Sequence, residues 1–345
     1  MIKFNIIVKR IKMKKKILWI LPAILLVLVI AYLGFRLIRF NRLADEVNTF
    51  NIKIEDRYTN IGVFDDKLYY LDGKILHGRK TDQELFQKDL GSGVKSLVYD
   101  KYICVFYENG KILTLDRYSA KEKKSFDLGV KVDRIRRDKD RFIIYSTKDA
   151  ISMAKDLSDK RVRKFSERTL DYREKGNSYT CLYLSMDIDD IKSKLVAYEG
   201  EKEVFRLASV DELFMGSGYF TEKKSYGITN RSLYLIEDSS IIDRVNLAKP
   251  RAFKSDGKRL ALVDNMTLKV FDTNLDIIGR VDLDFEAKQV FFVDDAIICL
   301  GDNIVSSYEA GNLIKNDLVG LKGYYKGDKN IYLIFPDRVE KVKVD

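Results

Sequence analysis

The sequence predicts an all-β fold, an eight-bladed β-propeller, preceded by one transmembrane α-helix. Three observations carry this prediction. A turn rich in Asp, Gly and Lys leads into a strand-like run eight times, at a mean spacing of about 38 residues. An uncharged apolar run, residues 17–35, stands near the start of the chain. Between these two features, residues 50–54 alternate like a strand but belong to no repeat of their own.

The uncharged run, ILWILPAILLVLVIAYLGF, has the length of a membrane span. As a helix it would be about 28 Å long, close to the roughly 30 Å thickness of the hydrocarbon core of a bilayer. We therefore predict a transmembrane helix over residues 17–38, which would contact the lipid bilayer.

The charges that flank this helix predict its orientation. Residues 1–16 contain seven Lys and Arg and no acid, whereas three Arg follow the uncharged run before the first carboxylate. Because basic flanks resist translocation, the N-terminus is predicted to stay in the cytoplasm and the C-terminal part to lie outside. We thus expect a single-pass protein of the cytoplasmic membrane. A cleaved signal peptide is the alternative, although its apolar region would usually be about 7–15 residues long.

The basic character of the chain comes from these flanks. The formal net charge is +10, from 62 Lys and Arg against 52 Asp and Glu. Ten of the basic residues lie within residues 1–44, which contain no acid, so the remainder has 52 basic and 52 acidic residues. A domain without net charge has no net attraction for phosphate, and a nucleic-acid partner is not expected.

The chain is predicted to have four parts. Residues 1–16 form a basic cytoplasmic segment, and residues 17–38 form the transmembrane helix. Residues 39–49 continue this helix as a short stalk, and residues 50–345 form the extracytoplasmic propeller. Linkers rich in Pro, Gly or Ser are missing from this last part, which favours one repeat architecture over separate domains.

Eight copies of a strand start define the predicted blades. The residues that precede the β-type runs are numbers 67, 101, 141, 178, 225, 259, 296 and 330. The copies at 178 and 225 are weaker than the other six, and the interval between them is the longest. The mean spacing is near the roughly 40–45 residues of a four-stranded propeller blade.

Second turns and further strands follow these copies. Turn residues that precede a second β-type run are Asn109-Gly110, Asn265, Asp302-Asn303 and Pro336-Asp337. Asn and Gly tolerate the left-handed backbone that tight hairpins require. The last copy ends one strand short, so residues 50–54 are predicted to complete the last blade and close the ring. Seven blades, an open β-solenoid or a pair of sandwiches are the alternatives.

The blade period, the Asp-Gly-Lys turns and the closing strand resemble those of the bacterial PQQ-like, or quinoprotein-type, β-propeller superfamily. The arrangement as a whole is similar to single-pass envelope proteins that carry an extracytoplasmic propeller. Quinoprotein blades typically contain a Trp docking signature, whereas the only Trp here is Trp19, inside the predicted span. The resemblance therefore implies the fold and not the cofactor, and no cofactor is expected.

Three Cys residues are candidates for metal or redox chemistry. Cys104, Cys181 and Cys299 each lie three residues after the start of a repeat. The equivalent positions in the other copies hold Tyr70, Ile144, Ile228, Leu262 and Leu333. A position that accepts these residue types is predicted to be a core position, where a free Cys behaves as a small apolar residue. Equivalent strands spread around a ring would also hold the thiols too far apart for a disulfide.

The other candidate site residues are a single His and an acidic cluster. His77 is the only His, so a His-rich metal site is not expected, and we predict a surface or strand-edge position. Asp187, Asp189 and Asp190 resemble a calcium loop but lack its Gly at position 6 and Glu at position 12, and we predict a solvated loop. No catalytic, cofactor-binding or metal-binding residue is assigned.

The sequence thus predicts a non-catalytic binding or scaffolding module outside the cytoplasmic membrane. Its partner would be an envelope protein or a cell-wall polymer, bound through one face of the ring or the central channel. The 20 Tyr and 19 Phe are expected mainly in the core, because aromatic residues are favoured in strands. The alternative is an enzyme of quinoprotein-like or glycan-processing type, which would need charged side chains converging on the channel.

Overall fold

The computed structural model describes residues 44–80, 83–138, 141–165, 167–187, 190–209, 211–327 and 330–342. These residues form eight four-stranded antiparallel sheets, the blades of a β-propeller. The prediction of an eight-bladed, all-β propeller is confirmed, and the alternatives of seven blades, an open solenoid and paired sandwiches are wrong. Sequence predicts the blades well because each is one local up-and-down unit.

The first strand of the chain belongs to the last blade, and the next sixteen strands form blades 1 to 4. In chain order these strands are β1 (Ala44–Asn51), β2 (Tyr58–Phe64), β3 (Lys67–Asp72), β4 (Ile75–Lys80), β5 (Gln83–Asp89), β6 (Val94–Tyr99), β7 (Ile103–Tyr107), β8 (Lys111–Leu115), β9 (Glu122–Asp127), β10 (Arg134–Arg137), β11 (Arg141–Tyr145), β12 (Asp149–Ala154), β13 (Arg161–Lys164), β14 (Thr169–Lys175), β15 (Ser178–Asp187), β16 (Asp190–Glu199) and β17 (Lys202–Ser209).

The remaining strands form blades 5 to 7 and three quarters of blade 8. They are β18 (Phe214–Tyr219), β19 (Lys224–Thr229), β20 (Ser232–Glu237), β21 (Ser240–Asn246), β22 (Pro250–Ser255), β23 (Leu260–Asp264), β24 (Thr267–Phe271), β25 (Ile277–Asp282), β26 (Gln289–Val293), β27 (Ala296–Leu300), β28 (Ile304–Glu309), β29 (Asn312–Asp317), β30 (Gly323–Lys326), β31 (Ile331–Ile334) and β32 (Arg338–Val342).

The eight predicted strand starts, including the weaker two, all lie at the second strand of a blade. Every residue of the second strands β7, β23 and β27 is buried, because a neighbouring blade covers each side of the sheet. The fourth strands β9 and β21 are mostly exposed, because they form the outer rim. The repeat signal therefore marks the most deeply buried strand of each blade.

The hairpin turns follow the sequence. Gly110, with a φ of 95°, links β7 to β8, and Asn265, with a φ of 59°, links β23 to β24. Strands alternate in direction, so the first-to-second and third-to-fourth turns of each blade share one face of the ring, which we call the lower face. The second-to-third turns and the connections between blades lie on the upper face.

The ring is closed by both ends of the propeller. β1 pairs antiparallel with β32, with Ala44 opposite Val342 and Phe50 opposite Val339. β2 of blade 1 lies beside β30 of blade 8. Closure of the ring by an N-terminal strand is therefore confirmed, but of the predicted residues 50–54 only 50 and 51 belong to this strand. The strand covers the backbone edge that β32 would otherwise expose.

The boundaries of this strand correct the sequence prediction. The predicted helical stalk, residues 39–49, is wrong over residues 44–49, which are part of a strand. The propeller accordingly starts at residue 44 and not at residue 50. The N–H and C=O groups at the outer edge of β32 find partners in this strand. They would stay without partners if residues 44–49 formed a separate helix, which is the physical reason for the difference.

The predicted transmembrane helix, residues 17–38, lies outside the described residues, as do residues 1–16 and 39–43. The residues that the structure describes contain no apolar helix of the length that a membrane span requires.

The hydrophobic core is divided among the boundaries between neighbouring blades. Blades 2 and 3, for example, share a cluster that contains Phe106, Ile112, Phe142 and Ile151, all at most 1% exposed. A similar cluster containing Phe50, Leu68 and Val339 joins blade 8 to blade 1. Each blade is thus stabilised mainly by the two blades beside it.

Candidate functional site

The innermost strands of blades 3 and 4 carry a cluster of charged side chains. Arg136 donates to Asp138 at 2.9 Å and to the Tyr172 carbonyl at 2.6 Å, and it also pairs with Asp171. Arg173 donates to Asp171 at 2.8 Å and lies 3.7 Å from Asp138. Two arginines and two aspartates therefore alternate, so that each carboxylate contacts two cations.

This cluster has the charges that the enzyme alternative would need, but they are already paired. Burial alone would raise the pKa of Asp138, yet the attraction and hydrogen bonds of Arg136, together with Arg173, hold it below its usual value. Burial and repulsion by Arg173 lower the pKa of Lys254, on the innermost strand β22. Asp138 is therefore ionised at neutral pH and unsuited to act as a general acid. The arrangement supports a structural connection between blades 3 and 4.

A second polar cluster joins blades 2, 3 and 8. Asp100 accepts from Lys155 at 2.9 Å and from Arg137 at 3.1 Å. The Tyr325 hydroxyl of blade 8 donates to the Tyr99 carbonyl of blade 2 at 3.4 Å. Since these side chains come from blades that are not all adjacent, they meet at the centre of the ring and hold its inner strands together.

The three cysteines lie in the core, as predicted. Cys104, Cys181 and Cys299 are free thiols, each at most 1% exposed, on the second strands of blades 2, 4 and 7. Burial raises the pKa of Cys104 and Cys299 to about 12, and burial also raises the pKa of Cys181. A buried thiol with a raised pKa is protonated at neutral pH, and the protonated form is a poor nucleophile.

His77 is half-buried on β4, the third strand of blade 1, and so does not lie at the predicted strand edge. Its ring stacks on Tyr70 with centroids 4.8 Å apart, and Nδ1 lies 2.9 Å from a Glu84 carboxylate oxygen. Among the described residues, no group of three or more His, Cys, Asp or Glu side chains is placed to hold a metal ion.

Blade 4 differs from the other blades in the length of its central hairpin. β15 and β16 have 10 residues each, whereas the second and third strands elsewhere have 4 to 6. Asp187 pairs with Asp190 at the end of this hairpin, and Asp189 lies outside the described residues. The predicted loop is therefore wrong for Asp187 and Asp190, which are the last residue of β15 and the first of β16. They end an extended hairpin on the upper face, about 13 Å longer than its equivalents at roughly 3.3 Å per residue.

An exposed apolar patch lies beside this hairpin. Ile191, Leu213 and Met215 are 48%, 39% and 41% exposed. The Phe214 amide donates to the Ser193 hydroxyl at 2.7 Å, which fixes the start of β18, where Leu213 and Met215 lie, against β16, which contains Ile191. We call Ile191, Leu213 and Met215 the upper patch.

Three cavities border the same blade. One of about 460 Å³ and one of about 260 Å³ lie between blades 3 and 4 and share Arg163 and Tyr179. A third, of about 390 Å³, lies between blades 4 and 5 and is lined in part by Tyr198 and Tyr219. The sequence did not predict these cavities, because they form between side chains of different repeats.

The fold and these surfaces define a class, a β-propeller with one elaborated blade. No protein-family model matches the chain, and no curated protein matches it in sequence. Solved structures match it across most of its length.

BamB from Moraxella catarrhalis is 11% identical, with a TM-score of 0.54 over 87% of this chain and 100% of BamB. Sqt1 from Saccharomyces cerevisiae is 12% identical, with a TM-score of 0.56 over 86% of this chain and 99% of Sqt1. At this identity the likeness shows the propeller fold alone. The resemblance to PQQ-like propellers stays a prediction.

Proposed function

We propose that this protein is a membrane-anchored, extracytoplasmic binding or scaffolding module for an envelope protein or a wall polymer. The observation that carries the proposal is the asymmetry of the ring. Seven blades have short central hairpins, and blade 4 extends a long hairpin beside the upper patch. Exposed apolar side chains grouped on one face are typical of a protein-docking surface.

The paired charges at the centre of the ring support binding rather than catalysis. Asp138 and Asp171 already contact arginines of blades 3 and 4, so a substrate would have to displace these ion pairs. The structure offers the extended hairpin and the cavities of blade 4 as free surfaces, whereas the central charges hold the ring together.

In-cell crosslinking of the full-length protein, followed by purification and mass spectrometry, tests this proposal. We expect an envelope partner that is captured by the wild type and lost in the variant Leu213→Asp/Met215→Asp. The variant Ile277→Asp/Ile278→Asp is the matched control, because these residues are 51% and 56% exposed on β25, away from blade 4.

Equal capture by both variants would contradict docking at the upper patch. Recovery of the protein from the soluble fraction, with no partner and no membrane association, would contradict the anchored scaffold as a whole.

A further inference from the structure

The two cavities between blades 3 and 4 share Arg163 and Tyr179, and we treat them as one groove. We call it the tyrosine groove and define it by Arg163 and Lys164 of β13 together with Tyr179, Tyr183 and Tyr198 of the blade 4 hairpin. Val162, Phe165 and Glu201 also line the larger cavity, and Arg161 and Glu174 line part of the smaller one.

The aromatic side of the groove combines ring faces with hydroxyl groups. Tyr179 and Tyr198 stack with centroids 4.7 Å apart and an interplanar angle of 10°. The hydroxyls of Tyr183 and Tyr198 lie 3.1 Å apart and hydrogen-bond to each other. Tyr198 is only partly buried, so the groove offers an apolar ring beside polar groups, as sites for amphipathic small molecules do.

The larger cavity is lined by two cations, Arg163 and Lys164, and by one carboxylate, Glu201, so its lining has a net positive charge. The Arg163 guanidinium lies 4.8 Å from the Tyr179 ring centroid, and the Lys194 ammonium lies 5.4 Å from that of Tyr183. These ring faces already hold the protein's own cations, so a cationic ligand would meet like charge. The tyrosine groove is therefore not an aromatic cage for an ammonium group.

The same cations are available to an anion. Within the described residues no carboxylate pairs with Arg163 or Lys164, and the Arg163 Nε–H is buried without a hydrogen-bond partner. Glu174, in contrast, is engaged by Arg141 at 3.0 Å. A carboxylate or phosphate in the groove would be attracted by the Arg163 guanidinium and the Lys164 ammonium.

From these observations we infer that the tyrosine groove binds an acidic sugar unit of an envelope polymer. Its acidic group would contact Arg163 and Lys164. Its apolar face would pack on Tyr198, and its hydroxyls would exchange hydrogen bonds with Tyr183 and Tyr198. This inference rests on the proposed function, because it specifies the chemistry of the polymer that the protein would bind. The site is separate from the upper patch.

The test is isothermal titration of the full-length protein in phosphatidylcholine nanodiscs. The probes are tetragalacturonic acid, its methyl ester, which has the same sugars without the charge, and glucose 6-phosphate. We expect the acid to bind and the ester to bind at least tenfold more weakly. Binding of glucose 6-phosphate alone would support the site and identify phosphate as the acidic group.

Variants locate the binding. Lys164→Gln is expected to lower the affinity for tetragalacturonic acid at least threefold, and Arg163→Gln is expected to lower it at least tenfold. Arg206→Gln is the matched control, because Arg206 lies on the same blade, pairs with Glu203 at 2.7 Å and lines neither cavity. Tyr198→Phe removes only the hydroxyl and keeps the stack, so it tests the hydrogen bond without emptying the core.

The inference would be overturned by equal affinity for the acid and the ester, or by the absence of binding of every probe. It would also be overturned if the folded variants Lys164→Gln and Arg163→Gln bound the acid as tightly as the wild type. These outcomes are independent of the anchor, whose failure would show as lost membrane association with an unchanged titration.

Discussion

Gly62 shows how closely the inner strands of the ring approach one another. A Cβ atom at this position would lie 2.4 Å from the Tyr99 ring and 2.8 Å from the Tyr325 ring. Both rings belong to other blades, and both take part in the polar contacts at the centre. A side chain on residue 62 would therefore separate three blades at once.

We expect Gly62→Ala to lower the free energy of unfolding by about 1–3 kcal/mol, the usual cost of overpacking a core. Gly323→Ala is the control, since no atom lies within 4 Å of its added Cβ. Urea denaturation followed by circular dichroism compares the two. Equal midpoints would show that the inner strands can separate without cost.

Glu212 is a buried carboxylate that holds the start of blade 5. It accepts hydrogen bonds from Thr229 at 2.6 Å, Tyr234 at 3.1 Å and Arg244 at 2.7 Å. Burial would raise its pKa, but the hydroxyl groups and Arg244 lower it below the ordinary 4.5. The stability that this shift provides is present above pH 4.5 and is lost as pH falls through the folded-state pKa.

We expect Glu212→Gln to reduce the free energy of unfolding by about 1.5–3 kcal/mol at pH 7, as for hydrogen bonds to a charged group. The difference from wild type should shrink below pH 4.5. Urea denaturation at several pH values measures this, with the exposed Glu122→Gln as control. A difference that is independent of pH would contradict the role of the charge.

The cysteines were predictable because the repeat supplied eight equivalent positions and five of them hold large apolar residues. All eight positions are at most 4% exposed. Gly62 was not predictable, because Tyr99 and Tyr325 belong to other blades. Glu212 was not predictable either, because its partners are spread over other strands of blade 5. Sequence periodicity shows which face of a strand is buried, but not which side chain lies opposite.

The buried thiols give a chemical prediction. In folded protein we expect no reaction of Cys104, Cys181 or Cys299 with a thiol reagent within the time that denatured protein reacts completely. Colorimetric titration with and without guanidinium chloride measures this. Rapid reaction of any one of them in the folded state would place that residue outside the core.

β1 is the strand that joins the two ends of the propeller. Its Phe50 is 4% exposed and packs in the cluster between blades 8 and 1. The sequence predicted a closing strand from the missing last strand, but placed it at residues 50–54. Residues 50–54 do alternate between polar and apolar side chains. The strand that pairs with β32, however, is residues 44–51, and most of this segment has the polar pattern that predicted a helix.

We expect Phe50→Ala to reduce the free energy of unfolding by about 3–5 kcal/mol, the usual effect of emptying a core aromatic site. Ile277→Ala, on the outer strand β25 and 51% exposed, should change it by less than about 1 kcal/mol. Thermal and urea denaturation compare the two variants. A small effect of Phe50→Ala would mean that β1 contributes little to closure.

The elaboration of blade 4 was visible in the sequence only as a long interval. The repeat starts at 178 and 225 are the most widely spaced, and the structure assigns the extra residues mainly to β15 and β16. The tyrosine groove could not be predicted, since Arg163 and Tyr179 belong to different repeats and meet only when blades 3 and 4 pack.

The molecule as a whole combines a ring fixed by paired charges at its centre with one elaborated blade, which carries the extended hairpin and borders the tyrosine groove. Its fold was predictable because eight local repeats each bury the same strand. Its proposed location outside the membrane depends on residues 17–38 and their flanking charges.

Site-directed labelling in intact cells tests this location most directly. Because the native thiols are buried, labelling of a single added cysteine reports the accessibility of that position alone. Val319 is a suitable position, because it is 89% exposed on the upper face between β29 and β30. We expect Val319→Cys in cells to react with a membrane-impermeant maleimide, and the wild-type protein to stay unlabelled. Labelling of Val319→Cys only after cell lysis would contradict an extracytoplasmic propeller.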